Sequence, residues 1–490
     1  MASDTPGGDS SVALPRRSFL KAASAGSLGG VAVAGCLGRG PEEGTVVISG
    51  DTDFEEIMHA DDDEPSVQQA LWDAGLDEDI TVEVRPGPDE TEQRRGGYQS
   101  ALQAGRAPPD IFMMDSGWTI PFILREQTTN LEEVLSGETL DLLENDYLDA
   151  AIETARHPET GELHALPLFP DFGTMQYRRD LVEDAGYDTD GWATEALSWQ
   201  EFSEIAADVR AESGVEFGFT TQAAAYEGLS CCTFNEVMST WGGAYFGGVD
   251  NLFDAGDRPI TVDEEPVLDA IRMMRTFMRG QDDDHALEGY ERIAPTSIVQ
   301  WTEEEARGPF ANENVVMHRN WPYSIAISGA EEELGDAVDM MPMPYAVEED
   351  EAEYDGVGGT AAALGGWHLT LNPNTEAQEE SVQVLDAFAN EDVMLTIFEI
   401  QGWLPPILEL LEEVDPEEGG PVARHVDTIQ IAGENAVPRP VTDVWPEQSA
   451  LIYQEVHNAY RGAKSPEEAM DDLQERLERS ERDVGDQDDD

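Results

Sequence analysis

Three short apolar runs, separated by segments of helical length, constrain the fold of this chain more than any other feature. They are "TVVIS" (45–49), "ITVEV" (80–84) and "DIFMMD" (110–115). Strands that alternate with helix-length segments are typical of α/β proteins, in which crossover helices cover the faces of a mostly parallel sheet. The sequence therefore predicts an α/β fold that begins near Thr45.

Three later segments carry clear helix signals. Ser198 and Glu201 have the spacing of a capping box, and a second box opens at Ser465 near the end of the chain. Between them, "VLDAIRMMRTFM" (267–278) repeats its apolar residues at helical spacing. We interpret this methionine-rich stripe as core rather than as a binding site.

The charge of the chain limits its environment and its partners. It has 104 acidic and 27 basic residues, a formal net charge of -77, and 40% hydrophobic residues. Such a charge repels itself in dilute salt and is screened in strong salt. The composition resembles that of halophilic archaeal proteins, and nucleic acid and anionic lipid are poor partners for it. The apolar content excludes general disorder, and a chain of this length favours two lobes.

The N-terminal segment has the pattern of an export signal. Arg16 and Arg17 precede a short apolar run rich in small residues, which ends at Cys36. The run is too short to span a bilayer, which takes about 20 apolar residues. The arginine pair resembles a twin-arginine signal and the cysteine resembles a lipidation site. We expect a signal peptide at 1–35 and a lipidated tether at 36–44. The alternative is a flexible N-terminal tail whose cysteine is not modified.

The sequence has no motif for a nucleophile, an NTPase or a zinc site, and it predicts no catalytic residue, cofactor or metal. Acidic runs such as that from Glu303 lack the spacing of a calcium loop and are interpreted as solvated faces. "GVGGTAAALGGW" (356–367) contains a dinucleotide-like glycine pattern, but no strand precedes it and no helix follows. The adjacent Cys231 and Cys232 are predicted to be buried free thiols.

Five aromatic motifs with glycine, proline or acidic neighbours remain. They are "MDSGW" (114–118), "FPDFG" (169–173), "RNWPY" (319–323), "GGWHL" (365–369) and "QGWLPP" (401–406). Each tryptophan alone is more often core than ligand surface, but the repetition favours a binding site. A sugar packs its CH face on an aromatic ring and donates hydroxyl hydrogens to carboxylates, which are strong acceptors.

These motifs and their order resemble the sugar-binding proteins of ABC importers, extracellular solute-binding family 1, and within it the trehalose/maltose-binding group. The similar segments include "ALPLFPDFGTMQYRRDLVEDAGYD" (165–188), "YEGLSCCTFNEVMSTWGGAYF" (226–246) and "GGWHLTLNPNTEAQEE" (365–380), and they extend from about 45 to 480. The resemblance implies a two-lobed periplasmic-binding-protein-like fold. Each lobe would be a mostly parallel sheet flanked by helices, and a three-crossing hinge would join the two.

The resemblance also implies a ligand site. Asp115 and Asp171 would bind sugar hydroxyl groups, and two adjacent glycines would let the backbone approach the ligand. One departure is Ile407, where many relatives carry an arginine, and it leaves the choice of sugar open. The full predicted ligand-binding set is Asp115, Trp118, Asp171, Glu227, Trp241, Trp321, Tyr323, Gly365, Gly366, Trp367 and Trp403.

Lobe boundaries follow from the same resemblance. The first lobe is expected at 45–170 plus 341–367, the second at 171–340 plus 368–480, and an acidic tail at 481–490. The three hinge crossings are expected near 169–174, 340–344 and 365–371.

The implied function is capture of a sugar, of di- or oligosaccharide size, by a monomer that delivers it to ABC permease transmembrane subunits. A lipid on Cys36 would hold the protein at the outer surface of the cytoplasmic membrane. Two alternatives remain open. One is a binding protein for a non-sugar solute such as a peptide or a polyol. The other is a secreted glycosidase that uses Asp115 and Asp171 as its carboxylate pair.

Overall fold

The structure is a computed structural model that describes residues 44–488 except 60–64, 89–90, 254, 331–332, 355 and 417–418. Arg16, Arg17 and Cys36, on which the export and lipidation predictions depend, lie outside the described residues. Among the helices of the described part, none combines the length and the apolar character needed to cross a membrane.

The described part alternates strands and helices from its first residues. The strands are β1 (Thr45–Gly50), β2 (Thr81–Pro86), β3 (Ile111–Asp115), β4 (Leu166–Phe172), β5 (Thr174–Arg178), β6 (Phe217–Thr220), β7 (Val315–Asn320), β8 (Val338–Met341), β9 (Ala362–Leu371) and β10 (Ala436–Val437). The helices are α1 (Thr52–Met58), α2 (Val67–Asp73), α3 (Thr91–Gln103), α4 (Ile120–Leu124), α5 (Gly137–Asn145), α6 (Asp149–Glu153), α7 (Arg179–Asp184), α8 (Trp199–Ser213), α9 (Phe234–Thr240), α10 (Glu265–Arg279), α11 (Glu303–Ala311), α12 (Tyr323–Ser328), α13 (Gln378–Phe388), α14 (Glu391–Gln401), α15 (Gly420–Ala423), α16 (Val426–Glu434), α17 (Trp445–Tyr460) and α18 (Pro466–Asp488).

The first sheet is built around the three apolar runs at the start of the chain. Its order is β10-β9-β3-β1-β2, and β4 pairs with β9 outside this path. Strand β1 is parallel to both β2 and β3, because helical crossovers join them as the sequence spacing predicts. Strand β9 is antiparallel to β3 and to β4, since it enters from the second sheet. The first sheet is therefore mixed.

The second sheet has the order β6-β7-β5-β8. Strand β6 is parallel to β7, but β5 is antiparallel to both β7 and β8. The prediction of a mostly parallel sheet is wrong here. Strand β5 follows β4 across the single residue Gly173, so its direction is set by the passage of the chain between the sheets and not by a crossover helix.

Each sheet has its own apolar core, and we call each sheet with its core a lobe. The first core joins β1, β2, β3 and β9 to helices that include α2, α13 and α14. The second joins β5, β6 and β7 to α8, α9, α10, α17 and α18. A third cluster contains Phe172, Val338 and Leu364, from strands next to the crossings between the sheets. The lobes are thus packed together at the hinge.

The chain returns to the second lobe later than predicted. All of β9 pairs within the first sheet, so 365–371 is strand interior and not a crossing. Helices α13 and α14 and the side chain of Trp403 then pack in the first core. The third crossing lies at 438–444, between β10 and α17. The predicted assignment of 368–480 to the second lobe therefore fails for its first part, because β9 is needed to complete the first sheet.

The cysteine prediction is also wrong. Cys231 and Cys232 form a disulfide within a π-helical turn at Leu229–Thr233. Sequence reasoning assumed ordinary backbone at these two residues, and nothing in the sequence signals the π-helical turn.

Residues 481–488 do not form a separate tail. Helix α18 continues through Asp488, and Glu481 is only 4% exposed. Its Oε1 accepts hydrogen bonds from Arg258 Nε at 3.1 Å and Nη2 at 2.6 Å. A buried arginine requires such a partner, so this acidic residue belongs to the second lobe.

The local helix predictions are confirmed for α8 and α10, and for α18 one of the two bonds of the predicted capping box is present. Ser198 and Glu201 form the capping box of α8. At the start of α18, the backbone amide of Glu468 donates to Ser465 Oγ. The methionine-rich stripe of α10 lies in the second core.

Candidate functional site

The strand ends of the first sheet form one wall of a cavity of about 540 Å³. Asp115 ends β3, Asp171 lies near the end of β4, and Gly365–Trp367 lie in β9 between these two strands. In the register of the sheet, Asp115 is opposite Trp367 and Asp171 is opposite Gly365. Antiparallel pairing therefore places one carboxylate on each side of β9. We call this cavity the cleft, because residues of both lobes line it.

The two glycines of β9 are required for different reasons. Gly366 has φ +125°, and a Cβ there would lie 2.5 Å from the carbonyl oxygen of Phe169 in β4. A Cβ on Gly365 would instead lie 3.1 Å from Cη2 of Trp321. Gly366 thus permits the strand pairing, and Gly365 leaves room for an aromatic ring of the other lobe.

Aromatic rings of the first lobe are held in place from behind. The guanidinium carbon of Arg94 is 4.4 Å from the ring centroid of Trp367. Trp118 is fully buried and meets the same indole edge to face, at 6.3 Å between centroids. The ring of Trp403 stacks on Phe169 at 4.3 Å and an interplanar angle of 18°, and both of these residues line the cleft.

The second lobe supplies Trp321, which follows β7, and Tyr323, which begins α12. The guanidinium carbon of Arg319 is 4.2 Å from the ring centroid of Trp321. Arg319 is itself buried and donates through Nε to Glu236 Oε2 at 2.8 Å. Tyr323 donates its hydroxyl hydrogen to Glu304 Oε1 at 2.7 Å. Trp321 is therefore positioned by an ionic group that does not line the cavity, and Tyr323 by a carboxyl group that does.

Arg439 links carboxylates of both lobes. Its Nη1 donates to Asp115 Oδ1 at 2.9 Å and to Glu227 Oε1 at 3.5 Å. Gly117 makes space for this arginine, since a Cβ there would lie 2.4 Å from the Arg439 side chain. The other carboxylate oxygen of Glu227 is buried without a hydrogen-bond partner. A buried carboxylate oxygen of this kind normally has a hydrogen-bond donor.

Burial changes the protonation of the cleft carboxylates. It raises the pKa of Asp171 to about 8, against the opposing effects of the Arg319 charge and the Phe172 amide. Burial, and then the charge of Asp115, raise the pKa of Glu227. Burial also raises the pKa of Glu303, although a hydrogen bond from Tyr226 opposes the shift. Asp171 and Glu227 can therefore be neutral donors as well as acceptors near neutral pH.

The cleft is acidic in composition. Of the described residues that line it, two are arginines and eight carry carboxyl groups: Asp51, Asp53, Glu92, Asp115, Asp171, Glu227, Glu303 and Glu304. Both arginines already have carboxylate partners, since Arg94 pairs with Asp51 as Arg439 pairs with Asp115. A phosphate or carboxylate solute would therefore meet no unpaired arginine among these residues.

The structure brings nine of the eleven predicted ligand-binding residues to the cleft. The exceptions are Trp118 and Trp241. Trp118 is buried against Tyr98 and Phe122, and it supports the cleft indole from behind. Trp241 packs against the second core, near Tyr290. Trp118 follows a glycine, and Trp241 follows the end of α9. Both positions resemble binding-site motifs in the sequence, but both side chains pack against apolar cores.

Sequence reasoning missed several residues that line the cleft. Arg94 and Arg439 belong to no recognisable motif, although any arginine in so acidic a chain is itself a signal. The acidic run from Glu303 predicts a solvated face, yet Glu303 and Glu304 start α11 and line the cavity. The capping box of Thr302 marks that helix start and could have suggested their direction.

The candidate site is a cleft built from aromatic faces and hydrogen-bonding carboxyl groups at a junction of two lobes. Within the described residues, no group of three or more histidine, cysteine or acidic side chains is placed to hold a metal ion. Fold and site together define a two-lobed solute-binding protein.

The chain belongs to the bacterial extracellular solute-binding protein family, whose model matches residues 74–421. It is 24% identical over 389 residues to a probable ABC transporter-binding protein of Deinococcus radiodurans, covering 78% of this chain and 80% of that protein. Such relatives are transport binding proteins and not enzymes.

Solved structures give the same fold. Maltose-bound MalE3 of T. maritima superposes with a TM-score of 0.69 at 24% identity, over 89% of this chain and 99% of that one. A solute-binding protein of Agrobacterium radiobacter in complex with ribitol gives 0.65 at 13% identity, over 89% and 98%. The predicted family resemblance and the two-lobed α/β fold are confirmed.

Proposed function

We propose that this protein is the extracellular substrate-binding component of an ABC importer and that it captures a sugar of di- or oligosaccharide size. One observation carries the proposal. The cleft presents Trp321, Trp367 and Trp403 around carboxyl groups, and one of these, in Glu227, has a buried oxygen without a partner. Its volume of about 540 Å³ lies within the range typical of small-molecule sites.

The charges of the cleft favour a neutral polyhydroxylated solute over an anionic one. An anion would face the excess of carboxylates and would have to displace an existing partner from Arg94 or Arg439. A sugar hydroxyl both donates and accepts, so it can pair with ionised or protonated carboxyl groups. The binding of maltose and of ribitol by the structural neighbours is consistent with this class.

Capture would proceed by closure of the lobes about the three crossings, as in other two-lobed binding proteins. The first crossing is the single residue Gly173, where a Cβ would overlap Glu236 and Arg319. The closed, liganded monomer would then dock on the permease subunits. No reacting group of the protein takes part in this cycle, which is one of binding and release.

The export proposal rests on the N-terminal sequence and is tested in cells. We expect Arg16→Lys combined with Arg17→Lys to leave precursor in the cytoplasm, because the arginine pair addresses the folded protein for export. Cys36→Ser should give unlipidated protein that is released from the membrane or not processed. Normal membrane retention of the Cys36→Ser protein would contradict the lipid anchor.

The solute is identified by titration of the mature protein in concentrated salt. Tryptophan fluorescence would be followed against maltose, trehalose, maltotriose, ribitol, glycerol 3-phosphate and a tripeptide, since three indoles line the cleft. We expect saturable binding of at least one sugar. Binding of the phosphate or the peptide alone would contradict the proposal. Release of reducing sugar from an aryl glycoside would instead favour the glycosidase alternative, and binding of ribitol alone would favour a polyol.

A further inference from the structure

The disulfide between Cys231 and Cys232 lies on the wall of the cleft. Both cysteines line the cavity, and they are only 4% and 3% exposed. The same segment places Glu227 and Gly228 on that wall. Neither the aromatic faces nor the carboxyl groups of the proposed site account for a pair of bonded sulfur atoms there.

Hydrogen bonds to other parts of the second lobe fix the π-helical turn that carries the disulfide. Ser230 Oγ lies 2.6 Å from Ser449 Oγ of α17, and the Tyr245 hydroxyl donates to the Ser230 carbonyl at 2.8 Å. Thr233 Oγ1 donates to the Gln222 carbonyl at 3.0 Å. These bonds hold the turn on the second core, to which both cysteines belong, and keep the two residues in the wall of the cavity.

The sulfur atoms differ chemically from the other groups that the second lobe contributes to the cleft. Elsewhere on this side of the cleft, Glu227, Glu303 and Glu304 present carboxyl groups. The disulfide is an apolar surface without a hydrogen to donate, and it lies beside these polar groups. A sugar ring with one CH face and a hydroxyl rim matches such a boundary.

We propose that the Cys231–Cys232 disulfide is a contact surface of the solute site, so that solute affinity and the oxidation state of this pair are linked. The inference rests on the proposed function of the cleft. Reduction by a dithiol transfers two electrons and two protons: the S–S bond breaks, two thiols form, and the dithiol becomes a cyclic disulfide. The thiols are weak donors, and the bond that joins the two side chains is lost. An extracellular protein would keep the oxidised form.

Linkage gives two measurable consequences. A solute that covers the sulfur atoms protects them, so at a concentration tenfold above its Kd reduction should slow about elevenfold, in proportion to the free fraction. The second consequence concerns equilibrium and is independent of that rate: a solute that prefers the oxidised pair should bind the reduced protein more weakly, by several fold. Both effects concern wild-type protein, so neither depends on a variant that folds.

The experiment uses the mature chain in concentrated salt with dithiothreitol and, as probe, the sugar among maltose, trehalose and maltotriose that gives the largest fluorescence response. Reduction is followed by alkylation and mass measurement of the peptide that contains Cys231 and Cys232, which excludes Cys36 from the readout. The rate should rise with dithiothreitol concentration, because the reductant enters through the open cleft. A rate independent of dithiothreitol would indicate access by unfolding and would overturn the inference.

A double variant separates the sulfur chemistry from other effects of the reductant. Cys231→Ser with Cys232→Ser should bind the probe several fold more weakly, and dithiothreitol should leave its affinity unchanged. Equal reduction rates of wild-type protein with and without bound probe would overturn the inference while the proposed function stands. No fluorescence response to any of the sugars would overturn both.

Discussion

At the scale of single residues, Asp171 makes affinity depend on pH. Burial raises its pKa to about 8, so its carboxyl group is mostly protonated at pH 6 and mostly ionised at pH 9. An asparagine resembles the protonated form. The affinity of Asp171→Asn should therefore match wild type near pH 6. It should be roughly tenfold to a hundredfold weaker near pH 9, where the variant lacks a charged acceptor worth about 1.5–3 kcal/mol. Calorimetry with the cognate sugar at both pH values measures the ratio.

The raised pKa of Asp171 also determines how this residue changes the free energy of unfolding with pH. The folded protein holds the Asp171 proton more tightly than the unfolded chain, whose carboxyl has a pKa near 3.8. Its contribution to stability is complete below that value and is lost as the pH rises through about 8. The unfolding free energy of Asp171→Asn relative to wild type should consequently rise with pH. If neither the affinity ratio nor the stability difference between wild type and Asp171→Asn changed with pH, the raised pKa of Asp171 would be contradicted.

Trp367 is the second residue whose substitution should weaken sugar binding. Trp367→Ala removes an indole that Arg94 and Trp118 hold in place, and it should weaken sugar binding at least tenfold, because buried tryptophans at binding sites are worth about 2 kcal/mol or more. Trp241→Phe is the matched control, since Trp241 packs against the second core and does not line the cleft. Equal affinities for the two variants, measured by calorimetry, would place the site elsewhere.

At the scale of elements, two adjacent glycines of strand β9 should differ in what their substitution changes: one should affect stability and the other solute affinity. Gly366→Ala should lower the unfolding midpoint strongly, because its Cβ would meet the Phe169 carbonyl and the backbone has a positive φ. Gly365→Ala should leave the midpoint close to wild type but weaken sugar binding, since its Cβ meets the Trp321 ring. Thermal unfolding and titration of both variants test this. The reverse pattern would show that β4 and β9 are not paired in this register.

The elements also show how far sequence reasoning extends. Strands β1 to β3 and the capped helix α8 were predictable, because local periodicity and capping residues encode them. The direction of β5 and the lobe of α13 were not, since they depend on where the chain crosses between sheets. Arg439 is a case at residue scale: it approaches Asp115 across 324 positions of sequence, and no local pattern reports such a contact.

At the scale of the whole molecule, the net charge of -77 predicts salt-dependent folding. At roughly 0.1 M salt the Debye length is about 10 Å, and at 1 M it is about 3 Å, so repulsion among the carboxylates is screened only in strong salt. We expect the unfolding midpoint to rise steeply with potassium chloride and cooperative unfolding to be lost near 0.1 M. Circular dichroism over this range measures it, and a constant midpoint would contradict the halophilic interpretation.

The two ends of the described chain belong to different lobes. Thr45 begins a strand of the first sheet, whereas Leu473 and Leu477 of the last helix are buried in the second core. A donor fluorophore placed ahead of β1 and an acceptor placed after α18 would therefore travel with different halves of the molecule. Energy transfer between them would convert solute capture into an optical signal, and no loop would have to be opened to insert a label. The placement of the two ends in different lobes thus also suits the protein to serve as the scaffold of a solute biosensor.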